Sequence, residues 1–211
     1  HDYNMRFTSH VPRTSDGSYL PMPRLAADKQ LWPWQRDWID HALALPAAYC
    51  AFDCGLGKTL AALGLSVTLR EFGIANKPLI AVPLSALEHF AIAARQYFPT
   101  AHFLVAGPDD LTGSARRRLF AARCATGDFD AVIMTHEQLG SLPMPVEVER
   151  AWLHEQLQEA RSHYAEQGYN AKRTAKRLRT LEGHLDQLRH AVNDPTLITF
   201  NSLGVDHITV D

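Results

Sequence analysis

Asp53-Cys54-Gly55-Leu56-Gly57-Lys58-Thr59 separates the short apolar run Ala47 to Asp53 from Lys58 to Glu71, where Leu60, Leu63 and Val67 recur at helical spacing. A glycine-rich turn between a strand and a helix, closed by Lys-Thr, is the context of a phosphate-binding loop. Glycines let backbone N–H groups converge on phosphate oxygens, and the helix N-terminus adds its partial positive charge. Lys58 would then reach the β- and γ-phosphates, and the Thr59 hydroxyl would hold Mg²⁺. The general pattern wants Gly at position 52, where this chain has Phe52. The bland alternative is a glycine-rich turn that only caps a helix.

Working outward, short apolar strands are expected at Ala47–Asp53, Leu79–Pro83, Ala101–Ala106, Phe129–Thr135 and His207–Asp211. Helices are expected at Gln35–Leu45, Lys58–Glu71, Ser85–Phe98 and Ser114–Ala125. This alternation predicts an α/β fold with a mainly parallel sheet. Between the last two strands the alternation breaks. Leu153, Leu157, Ala160 and Tyr164 share one helical face, and Leu178, Leu181, Leu185, Leu188 and Val192 alternate steps of three and four. Two helices over 146–192, turning at Gly168-Tyr169-Asn170, predict an inserted antiparallel hairpin with a heptad-like seam. The first is rich in Glu; the second carries Lys172, Arg173, Lys176, Arg177, Arg179 and Arg189. Charge complementarity across the hairpin and a basic ridge for a phosphate backbone both remain open readings. Residues 1–30, with Pro12, Pro21, Pro23 and Gly17, read as an irregular leader or linker, and 31–211 as one nucleotide-binding domain.

Composition narrows the classes. The 211 residues are 46% hydrophobic and 21% charged, which argues against a disordered or collagen-like chain. A net charge of −2 excludes a globally basic nucleic-acid binder, so any such surface must be local. Three cysteines without a CxxC pair point to a reducing compartment, the cytoplasm being the expected location, and Cys50 and Cys54 read as packing residues of a buried strand. No stretch is apolar and long enough to span a bilayer, so no membrane partner is expected. His154-Glu155 fails as a zinc-peptidase motif because Gln158 stands where the second His belongs, and Gly64-Leu65-Ser66-Val67-Thr68 lacks the second Gly of a nucleophile elbow.

The loop and its flanks resemble the first RecA-like half of superfamily 2 helicase-like ATPases, in particular the Swi/Snf-type branch. Ala51, Asp53 and Gly55 to Thr59 fit that branch's phosphate loop. Leu31-Trp32-Pro33-Trp34-Gln35 fits its upstream L-x-P-aromatic-Q. Leu79-Ile80-Ala81-Val82-Pro83-Leu84-Ser85-Ala86-Leu87 and Asp130-Ala131-Val132-Ile133-Met134-Thr135-His136-Glu137 resemble its next two strand motifs, and Gly204 to Asp211 the strand that ends in the Mg²⁺-holding Asp. Phe200-Asn201-Ser202-Leu203-Gly204-Val205-Asp206, after a charged hairpin, is similar to a narrower group of phage and mobile-element helicases, often fused to DNA methylases.

The resemblance implies a RecA-like P-loop domain using ATP and Mg²⁺. It places Asp53, Cys54, Gly55, Leu56, Gly57, Lys58 and Thr59 around the nucleotide, Asp211 on the metal, and Ser85 and Thr135 near DNA, expected to be double-stranded. A Gln such as Gln35 can pair with the donor and acceptor on one edge of adenine. The family continues D-E-A-H after the Asp, so the chain is expected to be a fragment cut at Asp211. It would need a second RecA-like domain of the same full-length chain and hydrolyse ATP scarcely by itself. The implied activity is an ATP-dependent helicase or translocase. The rival readings are another P-loop enzyme, such as a kinase or transport ATPase, and a non-catalytic nucleic-acid-binding module using the basic helix.

Overall fold

A computed structural model describes residues 14–22, 24–166, 171–190 and 198–211. Its elements in chain order are a 3₁₀ turn Gly17–Tyr19, α1 Pro33–Leu43, α2 Lys58–Glu71, β1 Pro78–Val82, α3 Leu84–Tyr97, β2 Phe103–Val105 and α4 Gly113–Thr126. There follow β3 Ala131–Thr135, α5 His136–Gly140, α6 Val146–Glu166, α7 Ala171–His190, a 3₁₀ turn Phe200–Leu203 and β4 His207–Val210. The chain divides into one compact unit of 1–106, 128–136 and 206–211, and another of 107–127 and 137–205.

The first unit contains the sheet. Its order is β2-β3-β1-β4, and every pairing is parallel. β1 and β3 are buried along their whole length, as the unbroken apolar runs Pro78–Val82 and Ala131–Thr135 require of central parallel strands. β4 alternates half-buried and exposed residues, leaving Ile208 and Val210 in the open. On one face Ile80, Val82, Ala131 and Ile133 meet Leu63 and Val67 of α2 and Phe90, Ala94 and Phe98, from α3 and its C-terminal end. Each such large side chain contributes about 1.5–3 kcal/mol when fully buried.

The described part of the expected leader, 14–22 and 24–30, packs within the first unit, and residues 1–13 lie outside the described residues. Leu20 is buried with Ile39 of α1 and Leu65 and Leu69 of α2. Arg36 donates to the carbonyls of Gly17, Ser18 and Leu20, and the Asp37 carboxylate accepts from the Gly17 N–H. Those guanidinium bonds give partners to carbonyls that no strand ladder reaches, beside the Leu20 N–H bond to Gly17 within the 3₁₀ turn.

One expected strand is absent. Ala47–Asp53 joins no ladder, and Ala47, Ala48 and Tyr49 are exposed. A strand exists through its hydrogen-bonded neighbour. Both edges of β1 are taken by β3 and β4, and among the described residues nothing pairs with the outer edge of β4. The reading of Cys50 and Cys54 as strand-packing residues falls with it: Cys54 is exposed and Cys50 half-buried. What burial Cys50 has pushes its thiol pKa up.

In the second unit α6 and α7 pack as the expected hairpin. Leu153, Leu157 and Leu185 are buried in its seam, with Leu178, Leu181 and Leu188 against them. Tyr164, Val192 and the turn at 168–170 lie outside what is described of side chains and backbone. The ion pair described between the helices joins Arg161 of the Glu-rich helix to Glu182 of the basic one at 2.9 Å, the reverse of the expected polarity at that one contact. Arg177 donates instead to the Gln156 amide oxygen, at 2.7 Å.

Candidate functional site

Two glycines shape the loop. Gly55 and Gly57 have φ of 85° and 79°, left-handed values that cost other residues about 1–2 kcal/mol. Gly57 caps α2, whose first turn holds no acidic side chain. The helix therefore presents its N-terminal N–H groups and partial positive charge unopposed. Lys58 opens the helix and folds back: its ammonium donates to the Phe52 carbonyl at 3.0 Å and the Asp53 carbonyl at 3.2 Å. Among the described residues its hydrogen bonds go to these two neutral carbonyls, weaker acceptors than a charged oxygen. Asp53 and Cys54 are exposed at the entrance of the turn, and Leu56 is 40% exposed at its tip.

The sheet brings a distant residue to this loop. β4 lies beside β1 in register Ala81↔Val210, and the Asp211 N–H continues the ladder to the Ala81 carbonyl at 2.9 Å. Asp211 thereby lines the same cleft, of about 500 Å³, as Gly55, Gly57, Lys58 and Thr59. α3 contributes His89, Gln96 and Tyr97 to the same cleft. These three escaped the sequence reading because they are ordinary polar positions on an amphipathic helix, and only packing turns that edge toward the loop.

Among the described residues no group of three or more His, Cys, Asp or Glu could hold a metal. Mg²⁺ does not need one. It keeps several waters and takes one or two protein oxygens together with substrate phosphates. A Thr59 hydroxyl and an Asp211 carboxylate on one cleft fit that donor set.

The Gln35 amide is bound to main-chain groups. It is 1% exposed. Its Oε1 accepts from the Trp32 N–H at 2.9 Å, and its Nε2 donates to the carbonyls of Leu56 and Gly57, each at 3.2 Å. Beside it Trp32 and Trp34 stack at 5.0 Å with 4° between their planes. The indole N–H of Trp34 points to the Leu56 carbonyl at 3.4 Å. Ser85 and Thr135 both sit at the C-terminal end of the sheet, since Thr135 pairs with Val82 just before Pro83-Leu84-Ser85. Ser85 is exposed on the first turn of α3, whereas Thr135 is buried. Among the described residues no helix is long and apolar enough to cross a membrane.

A family model described as "Probable helicase domain" matches residues 46–211. Among curated proteins, the chain is similar to defense against restriction protein B of Escherichia phage P1, with 28% identity over 95 residues. That alignment covers 45% of this chain and 4% of the phage protein. Among solved structures it is similar to the Sulfolobus solfataricus SWI2/SNF2 ATPase core in complex with dsDNA. There the identity is 23%, the TM-score 0.45, and the coverage 57% of this chain and 24% of that one. The S. solfataricus SWI2/SNF2 ATPase core domain gives 24% identity and a TM-score of 0.43, covering 62% of this chain and 26% of that one. The chain thus spans about a quarter of those two and a small fraction of the phage protein.

Proposed function

The chain belongs to the probable helicase domain family, and from that premise we propose that it is the ATP-binding module of an ATP-dependent DNA helicase or translocase. The observation that carries this reading is the meeting of Asp211 with Lys58 and Thr59 on one cleft, although they lie at opposite ends of the domain's sequence. A phosphate loop at a helix N-terminus and a carboxylate at the end of a neighbouring parallel strand supply complementary chemistry. One neutralises phosphate and the other holds its counter-ion.

In this reading the N–H groups of Gly55 to Thr59 bind the triphosphate. Lys58 leaves the Phe52 and Asp53 carbonyls for the β- and γ-phosphate oxygens. Thr59 and Asp211 hold Mg²⁺, which when bound spreads the charge that develops as the terminal phosphoryl group is transferred to water. The protein's own part is positioning and electrostatics, because phosphoryl transfer asks little covalent chemistry of its catalyst. Ser85, exposed where β1 enters α3, marks the face over which double-stranded DNA would run, while Thr135, buried at the end of β3, would act there only through its neighbours. A second RecA-like domain of a longer chain would complete the motor.

Calorimetric titration of the chain with ATP and Mg²⁺ tests the proposal. Binding should be measurable in the wild type and fall at least about tenfold in Lys58→Ala, which removes the charge-assisted contacts of the ammonium. Equal affinity in the two proteins, or none in the wild type, rejects the loop as the nucleotide site.

A further inference from the structure

The cleft at the phosphate loop is also lined by a stripe of α3. His89, Ile92, Ala93, Gln96 and Tyr97 recur at steps that place them on one side of a helix. Phe90 and Ala94, buried against the sheet, anchor the same helix in the core. The polar members of the stripe stand at different heights. α3 starts at Leu84, two residues past the end of β1, and the Ala81 carbonyl of β1 accepts from the Asp211 N–H. His89 is in the second turn of α3. Gln96 is in its last turn, about 10 Å further along the axis at roughly 1.5 Å per residue. Of the polar residues that α3 gives the cleft, His89 therefore lies nearest in helix position to the sheet end that carries Asp211.

Charge leaves work for a donor there. Among the described residues lining the cleft, Lys58 is the fixed cation and Asp211 the carboxylate, and the two cancel. A triphosphate with its Mg²⁺ still brings net negative charge, and the terminal phosphoryl group spreads its share over exposed oxygens. His89 is exposed to the cleft. An imidazole carries at least one N–H donor in either protonation state. A hydrogen bond to an ionised oxygen is roughly twice as strong as one between neutral groups.

We propose that His89 is a specificity-determining residue that donates to the terminal phosphate, so that the cleft distinguishes a nucleoside triphosphate from the diphosphate. This rests on the nucleotide-binding reading of the loop.

The test titrates the wild type, His89→Ala and Gln96→Ala with ATP and with ADP, each with Mg²⁺. The wild type should bind ATP more tightly than ADP. His89→Ala should weaken ATP about tenfold and leave ADP unchanged, since the diphosphate lacks the group that the imidazole meets. Gln96→Ala, on the same stripe but at its far end, should keep the wild-type ratio of the two affinities. His89 lies outside the core, and melting temperatures check that its variant folds as the wild type does. The proposal is overturned if the wild type binds ATP and ADP equally, or if His89→Ala leaves their ratio unchanged. It is also overturned if Gln96→Ala lowers that ratio as much as His89→Ala does. In each of these cases nucleotide still binds and the loop reading stands. Failure of the loop reading has a separate signature: the wild type binds neither nucleotide, or Lys58→Ala binds both as the wild type does.

Discussion

The side-chain amide of Gln35 lies directly against Gly57, joined by a 3.2 Å hydrogen bond from Nε2 to the glycine carbonyl. Gly57 is thus held to glycine twice, by its left-handed φ of 79° and by the nitrogen that occupies the space a Cβ would need. Gly57→Ala should cost about 1–2 kcal/mol in backbone strain alone. It should also push Gln35 away and lower affinity for ATP with Mg²⁺ by about tenfold, since the loop loses the amide bonds that hold it. Titration beside thermal melting checks both parts, and a variant that binds like the wild type would show that the loop tolerates the displacement.

Asp211 is expected to act through its charge. Asp211→Asn keeps the shape and the ladder bond to Ala81, which the backbone makes, but removes the anion. Affinity for ATP with Mg²⁺ should fall by about tenfold or more, while affinity without the ion stays the same or rises. Titrations with and without Mg²⁺ separate the two. Equal losses under both conditions would assign Asp211 a structural role instead.

Asp130 holds the start of β3. Its buried carboxylate accepts from the guanidinium of Arg24 and from the His102 N–H, the latter at 2.7 Å. Asp130→Ala leaves Arg24, one-third exposed, with only the longer 3.5 Å contact to Glu71. The expected loss is about 2–3 kcal/mol in urea unfolding, below that of a fully buried pair because Arg24 reaches water. A loss under about 0.5 kcal/mol would mean that solvent replaces both bonds.

His207, on β4, should make stability fall in mild acid. Burial disfavours its imidazolium and lowers its pKa below the ordinary 6.5, with the neighbouring Asp206 carboxylate opposing part of that shift. Below pH 6.5 the unfolded chain takes up this proton before the folded one, so stability drops as pH falls through that window and is fully present above it. Melting temperatures at pH 7.5 and 5.5 should therefore differ less in His207→Gln than in the wild type. An unchanged difference would show that other groups carry the acid sensitivity.

Much of this was legible in residue order because it is local. The phosphate loop announces itself through glycines that take left-handed φ and through a helix that begins at Lys58, two residues before the apolar period opens at Leu60. The central strands announce themselves as unbroken apolar runs. Ala47–Asp53 has the same texture and is no strand, because apolar character describes what a segment could bury and not whether a neighbour is there to pair with it. The hairpin seam was readable from its leucines. Its ion pair was not, since Arg161 and Glu182 meet through a register that their own helices do not encode.

The amino-acid sequence by itself determined where backbone must bend, where helices start and which faces are apolar, and hence the loop at Gly55–Thr59 and its α/β setting. Only the tertiary structure decided that the β4 strand lies beside β1, which carries Asp211 to the loop. It also decided that the Gln35 amide bonds to the main chain of Trp32, Leu56 and Gly57, and that Trp32 and Trp34 stack on each other. Dihedral preference and hydrophobic period are properties of neighbouring residues; ladder partners and hydrogen-bond assignments are settled between residues far apart, where many arrangements satisfy the same local pattern.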